Sequence, residues 1–126
     1  MHFTKLEQYA LLLMGELAHS DAVVPLSLVS VSNRHGVSVP FLKKIVRSLR
    51  AAGLVQSKEG LGGGYILTRT PATISLWDIL SSFREIPANP MAGCPINAAC
   101  LPQHIRSIIS QTIQDRLEHI SLKEAI

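Results

Sequence analysis

Ser38-Val39-Pro40-Phe41-Leu42-Lys43-Lys44-Ile45-Val46-Arg47-Ser48-Leu49-Arg50, stopped at Gly53, is the stretch whose reading decides the fold. Ser38 is a helix N-cap, Pro40 is tolerated in the first turn, and Gly53 is a C-terminal stop, so the segment reads as a helix. Phe41, Leu42, Ile45, Val46 and Leu49 are its core-facing residues, whereas Lys43, Arg47 and Arg50 follow i, i+4, i+7 on the opposite face. With Lys44 they make four of the chain's 12 Lys and Arg residues, and no acid interrupts them. A helix divided in this way can rest one face on a body and offer the other as hydrogen-bond donors to phosphates and guanine edges. A merely solvated basic face would look the same in isolation, so the flanking segments carry the decision.

Upstream, Ser27 caps a short helix over Leu28 to about Arg34, and His35-Gly36-Val37 forms a turn in which Gly36 supplies a positive φ. Two helices joined by a tight glycine turn are the helix-turn-helix plan. An earlier helix over Lys5 to Ala18 keeps Leu6, Ala10, Leu13, Met14 and Leu17 on one side. Downstream, strand candidates Leu54 to Ser57 and Tyr65 to Thr68 flank the link Lys58-Glu59-Gly60-Leu61-Gly62-Gly63-Gly64, a β-hairpin that reads as a wing. The link lacks the Gly-Lys-Ser/Thr of a nucleotide-binding loop, and no helix follows to receive a phosphate. Ser75-Leu76-Trp77-Asp78 is a capping box that opens a helix to about Phe83.

From Arg84 to Pro102 the chain holds Pro87, Pro90, Pro95 and Pro102 with both cysteines, and reads as a loop. The last helix runs from Pro102 or Gln103 to about His119, with Ile105, Ile108, Ile109, Thr112, Ile113 and Leu117 as its apolar stripe. In a monomer that stripe would pack on the winged-helix body. A long helix set off by such a loop is hard to bury in so small a chain, however, and Ile105, Ile109, Ile113 and Leu117 are expected as the seam of a homodimer. The predicted fold is therefore mainly α with a small β-hairpin wing. Residues 1–83 form a winged helix-turn-helix DNA-binding domain, 84–102 a cysteine-bearing loop, and 103–126 a dimerisation helix and C-terminal tail.

Composition sets the limits. The 126 residues are 47% hydrophobic and 17% charged, which suits one domain with a real core and excludes a disordered chain. The net charge of +3 is modest, so a nucleic-acid reading must rest on where the cations lie. No uncharged apolar run approaches the roughly 18 residues of a membrane span. Met1-His2-Phe3-Thr4-Lys5 lacks the features of a signal peptide, and two cysteines make no disulfide framework, so a cytoplasmic protein with reduced thiols is expected. Neither cysteine stands in a recognisable nucleophilic arrangement with His and Asn or Asp, so no enzyme is expected.

Thr4-Lys5 with Tyr9-Ala10, His35-Gly36-Val37-Ser38 with Phe41-Leu42, Leu49-Arg50-Ala51-Ala52-Gly53-Leu54-Val55, Gly60-Leu61-Gly62-Gly63-Gly64-Tyr65 and Ile120-Ser121-Leu122 together resemble the Rrf2 family. Its members are bacterial winged-helix transcription regulators, among them iron–sulfur and nitric-oxide-sensing ones, and the likeness covers essentially the whole chain. It implies a homodimer that binds double-stranded operator DNA, each third helix in a major groove and each wing at a minor groove. The candidate DNA contacts are Ser38, Pro40, Phe41, Lys43, Lys44, Arg47, Lys58, Gly62, Gly63 and Tyr65. Two departures bear on operator choice: Glu59 stands where relatives often carry Arg, and Lys43 where iron–sulfur-regulating relatives carry a glutamate.

Cys94 and Cys100, with five residues between them, could both reach one soft metal centre, or be inert thiols. In the family this loop usually carries three cysteines and an iron–sulfur cluster. Cys94 and Cys100-Leu101 resemble the last pair, which puts the first position at or near Ala88. The resemblance implies further ligands. His35 is the leading candidate, with an ordinary turn histidine as its alternative. His104 ranks below it, one residue beyond the family's histidine position. Gln8 falls where some members place a carboxylate ligand, with Glu7 adjacent. A 2Fe-2S cluster is the expected cofactor, with zinc or no cofactor as alternatives. The expected function is a repressor gated by a cluster that senses redox state, nitric oxide or iron. The alternative is a cofactor-free repressor controlled by a partner protein or by thiol oxidation.

Overall fold

The computed structural model describes residues 3–20, 24–83 and 101–125, with the side chains of 101–104 and 106 left out. Helix α1 (Lys5–His19) opens on a capping box: the Thr4 hydroxyl accepts from the Glu7 N–H at 3.2 Å, and the Thr4 N–H donates to Glu7 Oε2 at 2.9 Å. That bond occupies a carboxylate that is itself buried. Ala10, Leu13, Met14 and Leu17 turn inward as their spacing predicts.

Helices α2 (Leu28–His35) and α3 (Val39–Ala51) make the helix-turn-helix. Gly36 ends α2 at φ 65°, and its N–H donates to the Ser32 carbonyl at 2.9 Å, the left-handed cap that the turn requires. Ser27 occupies the N-cap position of α2 but makes no side-chain cap bond. Ser38 does cap α3, its hydroxyl accepting from the Phe41 N–H at 3.3 Å. Leu42, Ile45, Val46 and Leu49 are buried on the inner face of α3. Strands β1 (Val55–Lys58) and β2 (Gly64–Leu67) form the antiparallel hairpin, in the register Val55 with Leu67 and Lys58 with Gly64. Both strands lie one residue from their expected bounds, at the hairpin's tip end.

A feature not visible in the sequence locks the wing to the body. Leu26 exchanges both backbone hydrogen bonds with Tyr65, at 2.9 and 3.0 Å, and so adds a third extended segment beside β2. Gly64 makes this approach possible, because a Cβ there would be driven into the Leu26 carbonyl.

After a short 3-10 turn (Pro71–Thr73), helix α4 (Leu76–Ser81) starts on the expected Ser75–Asp78 capping box. Helix α5 (Leu101–Glu118) begins one or two residues earlier than its sequence pattern suggests and contacts α4. The chain then turns back. Ser121 and Glu124 form a further capping pair at the start of α6 (Leu122–Ala125), and Leu122 is buried in the core with Ala10, Met14, Ile74 and Ile79. The segment expected as a tail thus completes the body's core. Among the described residues no helix is long and apolar enough to cross a membrane.

Candidate nucleic-acid interface

The amphipathic division of α3 holds in three dimensions. With the inner face buried, Lys43, Lys44, Arg47 and Arg50 are all exposed. None of them pairs with a carboxylate among the described residues; the ion pairs there involve Arg34 and Arg69 instead. Cations held without an internal counter-charge keep their full field available to an external anion.

Lys43, Val46, Arg47 and Arg50 line one open cleft of about 340 Å³ with Tyr65 of the wing. Helix and hairpin therefore present one continuous surface. Tyr65 is half-buried, tied through its backbone to Leu26, and contributes to the cleft wall. Beyond it, Lys58 stands exposed opposite Gly64, and the connecting turn closes with the Gly63 N–H donating to the Gly60 carbonyl at 2.9 Å. Gly62 has φ 76°, and a Cβ on Gly63 would lie 2.6 Å from the Lys58 carbonyl oxygen, so glycine at these positions sets the shape of the turn.

Pro40 is exposed in the first turn of α3, and Ser38 is exposed while its hydroxyl caps the helix. Phe41, read in the sequence both as core-facing and as a DNA contact, is partly buried, its ring edge-on against Tyr9 of α1 with centroids 5.6 Å apart at the margin of the core. Leu61, which the sequence reading passed over, is the most exposed large apolar residue described, at 110% of its reference area.

Of the candidate metal ligands, His35 is the last residue of α2. Its Nε2 lies 2.9 Å from Glu16 Oε1, and Arg34 Nη1 lies 2.9 Å from Glu16 Oε2. One carboxylate of α1 therefore clamps the end of α2. Gln8 donates from Nε2 to the Phe3 carbonyl at 3.0 Å, and Glu7 serves the cap of α1, so both have structural partners. Cys94, Cys100 and Ala88 lie outside the described residues, as does the side chain of His104 in the first turn of α5. Among the described residues no three His, Cys, Asp or Glu side chains cluster as a metal site. On α5, Ile105, Ile108 and Ile109 are 44%, 52% and 52% exposed, whereas Ile113 and Leu117 are half-buried.

Comparison with known proteins agrees with this architecture. The family model of Rrf2, described as an iron-dependent transcriptional regulator, matches residues 3–126. The transcriptional regulator IscR of Klebsiella pneumoniae is 28% identical over 130 residues, covering 100% of this chain and 80% of that protein. The structure of T. potens IscR superposes with a TM-score of 0.78 at 27% identity, covering 99% of this chain and 85% of the other. CymR, the global cysteine regulator of B. subtilis, gives a TM-score of 0.74 at 25% identity, covering 99% and 95%. A winged helix with a basic third helix, matched along its length by these regulators, places the chain in the Rrf2 family of transcriptional regulators.

Proposed function

We propose that the chain acts as a homodimeric repressor that binds operator DNA through α3 and the wing, under the control of a 2Fe-2S cluster. The observation that carries the DNA-binding part is the cleft shared by Lys43, Arg47, Arg50 and Tyr65, which joins the basic helix face to the hairpin. Lys43, Lys44 and Arg47 supply donors to phosphates and base edges, and Lys58 with the Gly62-Gly63 amides contacts the backbone beside the wing. Ser38 and Pro40 set the angle at which α3 enters the groove. The exposed isoleucines of α5, Ile105 and Ile109, together with Ile113 and Leu117, form the seam with a second copy, since an apolar stripe of this extent is stable in water only when covered.

Two thiols and an imidazole are donors suited to an iron–sulfur centre, and Cys94, Cys100 and His35 would supply three of the four ligands that a 2Fe-2S cluster takes. His104 is a weaker candidate. The geometry at His35 fits such a role: Glu16 holds Nε2, which fixes the ring and leaves Nδ1 as the nitrogen for ligation. When bound, the cluster supplies a centre that responds to redox state, nitric oxide or iron supply. His35 reports that state directly, because Gly36 and Val37 alone separate it from Ser38, the cap of α3.

The likeness to a protein described as a global cysteine regulator favours a second reading, in which Cys94 and Cys100 act as thiols without a cofactor. Selection of duplexes from a randomised pool by anaerobically purified protein, with iron and sulfide determined on the same preparation, tests the proposal. Retained duplexes with bound iron and sulfide are expected. Retained duplexes without either would leave the cofactor-free regulator.

A further inference from the structure

Leu61 has no structural reason to be leucine. It sits at the tip of the hairpin, fully out in solvent, and belongs to none of the hydrophobic packing around the core. The other exposed large apolar side chains among the described residues lie between 38% and 63% of their reference area. The turn beneath it is built on glycine: Gly60 and Gly62 hold φ values of 112° and 76°, and the Gly63 N–H closes onto the Gly60 carbonyl at 2.9 Å. The outer end of β2 is fastened to the body by the paired Leu26–Tyr65 bonds. An apolar side chain displayed past that anchor, wholly in water, gains free energy when a partner covers it.

We infer that Leu61 is an apolar wedge that enters the minor groove of the duplex held by α3, pressing against a base step and setting the operator's bend. This rests on the DNA-binding reading above. Tyr65 lines the cleft beside Arg47 and Arg50, and Leu61 lies four residues further along the hairpin. At about 3.3 Å per residue the chain extends up to ~13 Å between them. Folded back by the Gly60–Gly63 turn, the tip reaches less than that, which sets it at the phosphate ridge bordering the groove, about 12 Å wide, that α3 occupies, with the minor groove directly beyond. Lys58, exposed on the same hairpin, is placed to meet the ridge itself. Leucine is among the side chains that partly unstack a base step from the minor-groove side, and the cost depends on the step, which makes the contact selective.

The test uses the full-length dimer and a duplex recovered by the wild-type protein from a randomised pool. Leu61→Ser should weaken binding about tenfold or more and reduce the bend measured by end-to-end fluorescence transfer, while Leu61→Met, which keeps an apolar wedge, should retain both. The salt slope should stay that of the wild type, because no phosphate contact is lost, whereas Lys58→Ala should make it shallower by about one. Equal affinity and bend for the wild type and Leu61→Ser would overturn the proposal. So would equal losses in the Met and Ser variants, or an altered slope for Leu61→Ser. Unchanged DNA binding with lost repression in a reporter assay would also overturn it, and would assign the tip to a protein partner. If the wild type retained no duplex at all, the DNA-binding reading itself would fall, and the wedge with it.

Discussion

Leu122, four residues from the end of the sequence, donates its backbone N–H to the carbonyl of Ile74 at 2.7 Å, and both side chains are buried in the same core. Two residues away the Leu76 N–H donates to the Ile120 carbonyl at 2.9 Å, so the end of α5 and the start of α4 are laced together by backbone bonds. The long helix therefore leaves the body at one end and is fastened to it at the other.

Truncating Leu122 tests that fastening. Leu122→Ala should cost about 2–5 kcal/mol in a chemical unfolding experiment, the range for a buried leucine that leaves a cavity. Hydrogen exchange at the last turn of α5 should rise more than at α3, because the lost contact is local to the anchor.

The close approach of Gly64 to Leu26 predicts a wing defect from the smallest possible change. Gly64→Ala puts a methyl group into the Leu26 carbonyl and must open the pairing of Leu26 with Tyr65. The expected cost is about 1–3 kcal/mol in stability, typical of overpacking. A larger proportional loss should appear in DNA affinity, measured by fluorescence anisotropy, because the wing is no longer fixed beside α3.

Covering of the α5 stripe is tested by sedimentation. Ile109→Glu together with Ile113→Glu should give a monomer or an insoluble chain, since each places an unpaired charge in an apolar seam. A double variant that still sediments as a dimer would move the interface elsewhere.

The cysteines predict a metal-content experiment. Cys94→Ala and Cys100→Ala should each lose iron from anaerobically purified protein, and His35→Ala should shift the visible absorption of whatever cluster remains. Protein without iron or sulfide, binding DNA identically with both cysteines replaced, would favour thiol or partner control.

The legible parts of the chain are those whose information is local. Helix α3 could be read because its caps, its buried face and its cations all fall within one continuous segment, and the Ser75–Asp78 box announces α4 in four letters. Position 41 lies at the edge of the apolar stripe, so the sequence offers Phe41 both to the core and to the exposed face. Only the tertiary partner, Tyr9, decides which way its ring packs. The third extended segment of the wing rests on a single residue pair, Leu26 with Tyr65, too short to leave an alternating pattern. Helix α6 is similarly brief, and the burial of Leu122 follows from its pairing with Ile74, far away in sequence. Glu16 gave no sequence signal at all: its value lies in meeting the end of α2 across the fold.

The central claim, that the exposed face of α3 is the DNA-reading surface, is tested most directly by the salt dependence of binding. The logarithm of the association constant should be plotted against that of salt concentration for the wild type, Lys43→Ala and Arg47→Ala on a selected duplex and its single-position variants, with circular dichroism confirming that each protein variant is folded. The account predicts weaker binding for both variants. A residue that contacts phosphate should lower the slope by about one, and one that reads a base should relax preference at a single position by ~1–3 kcal/mol. Wild-type affinity and slope in both variants, on every duplex tried, would contradict it.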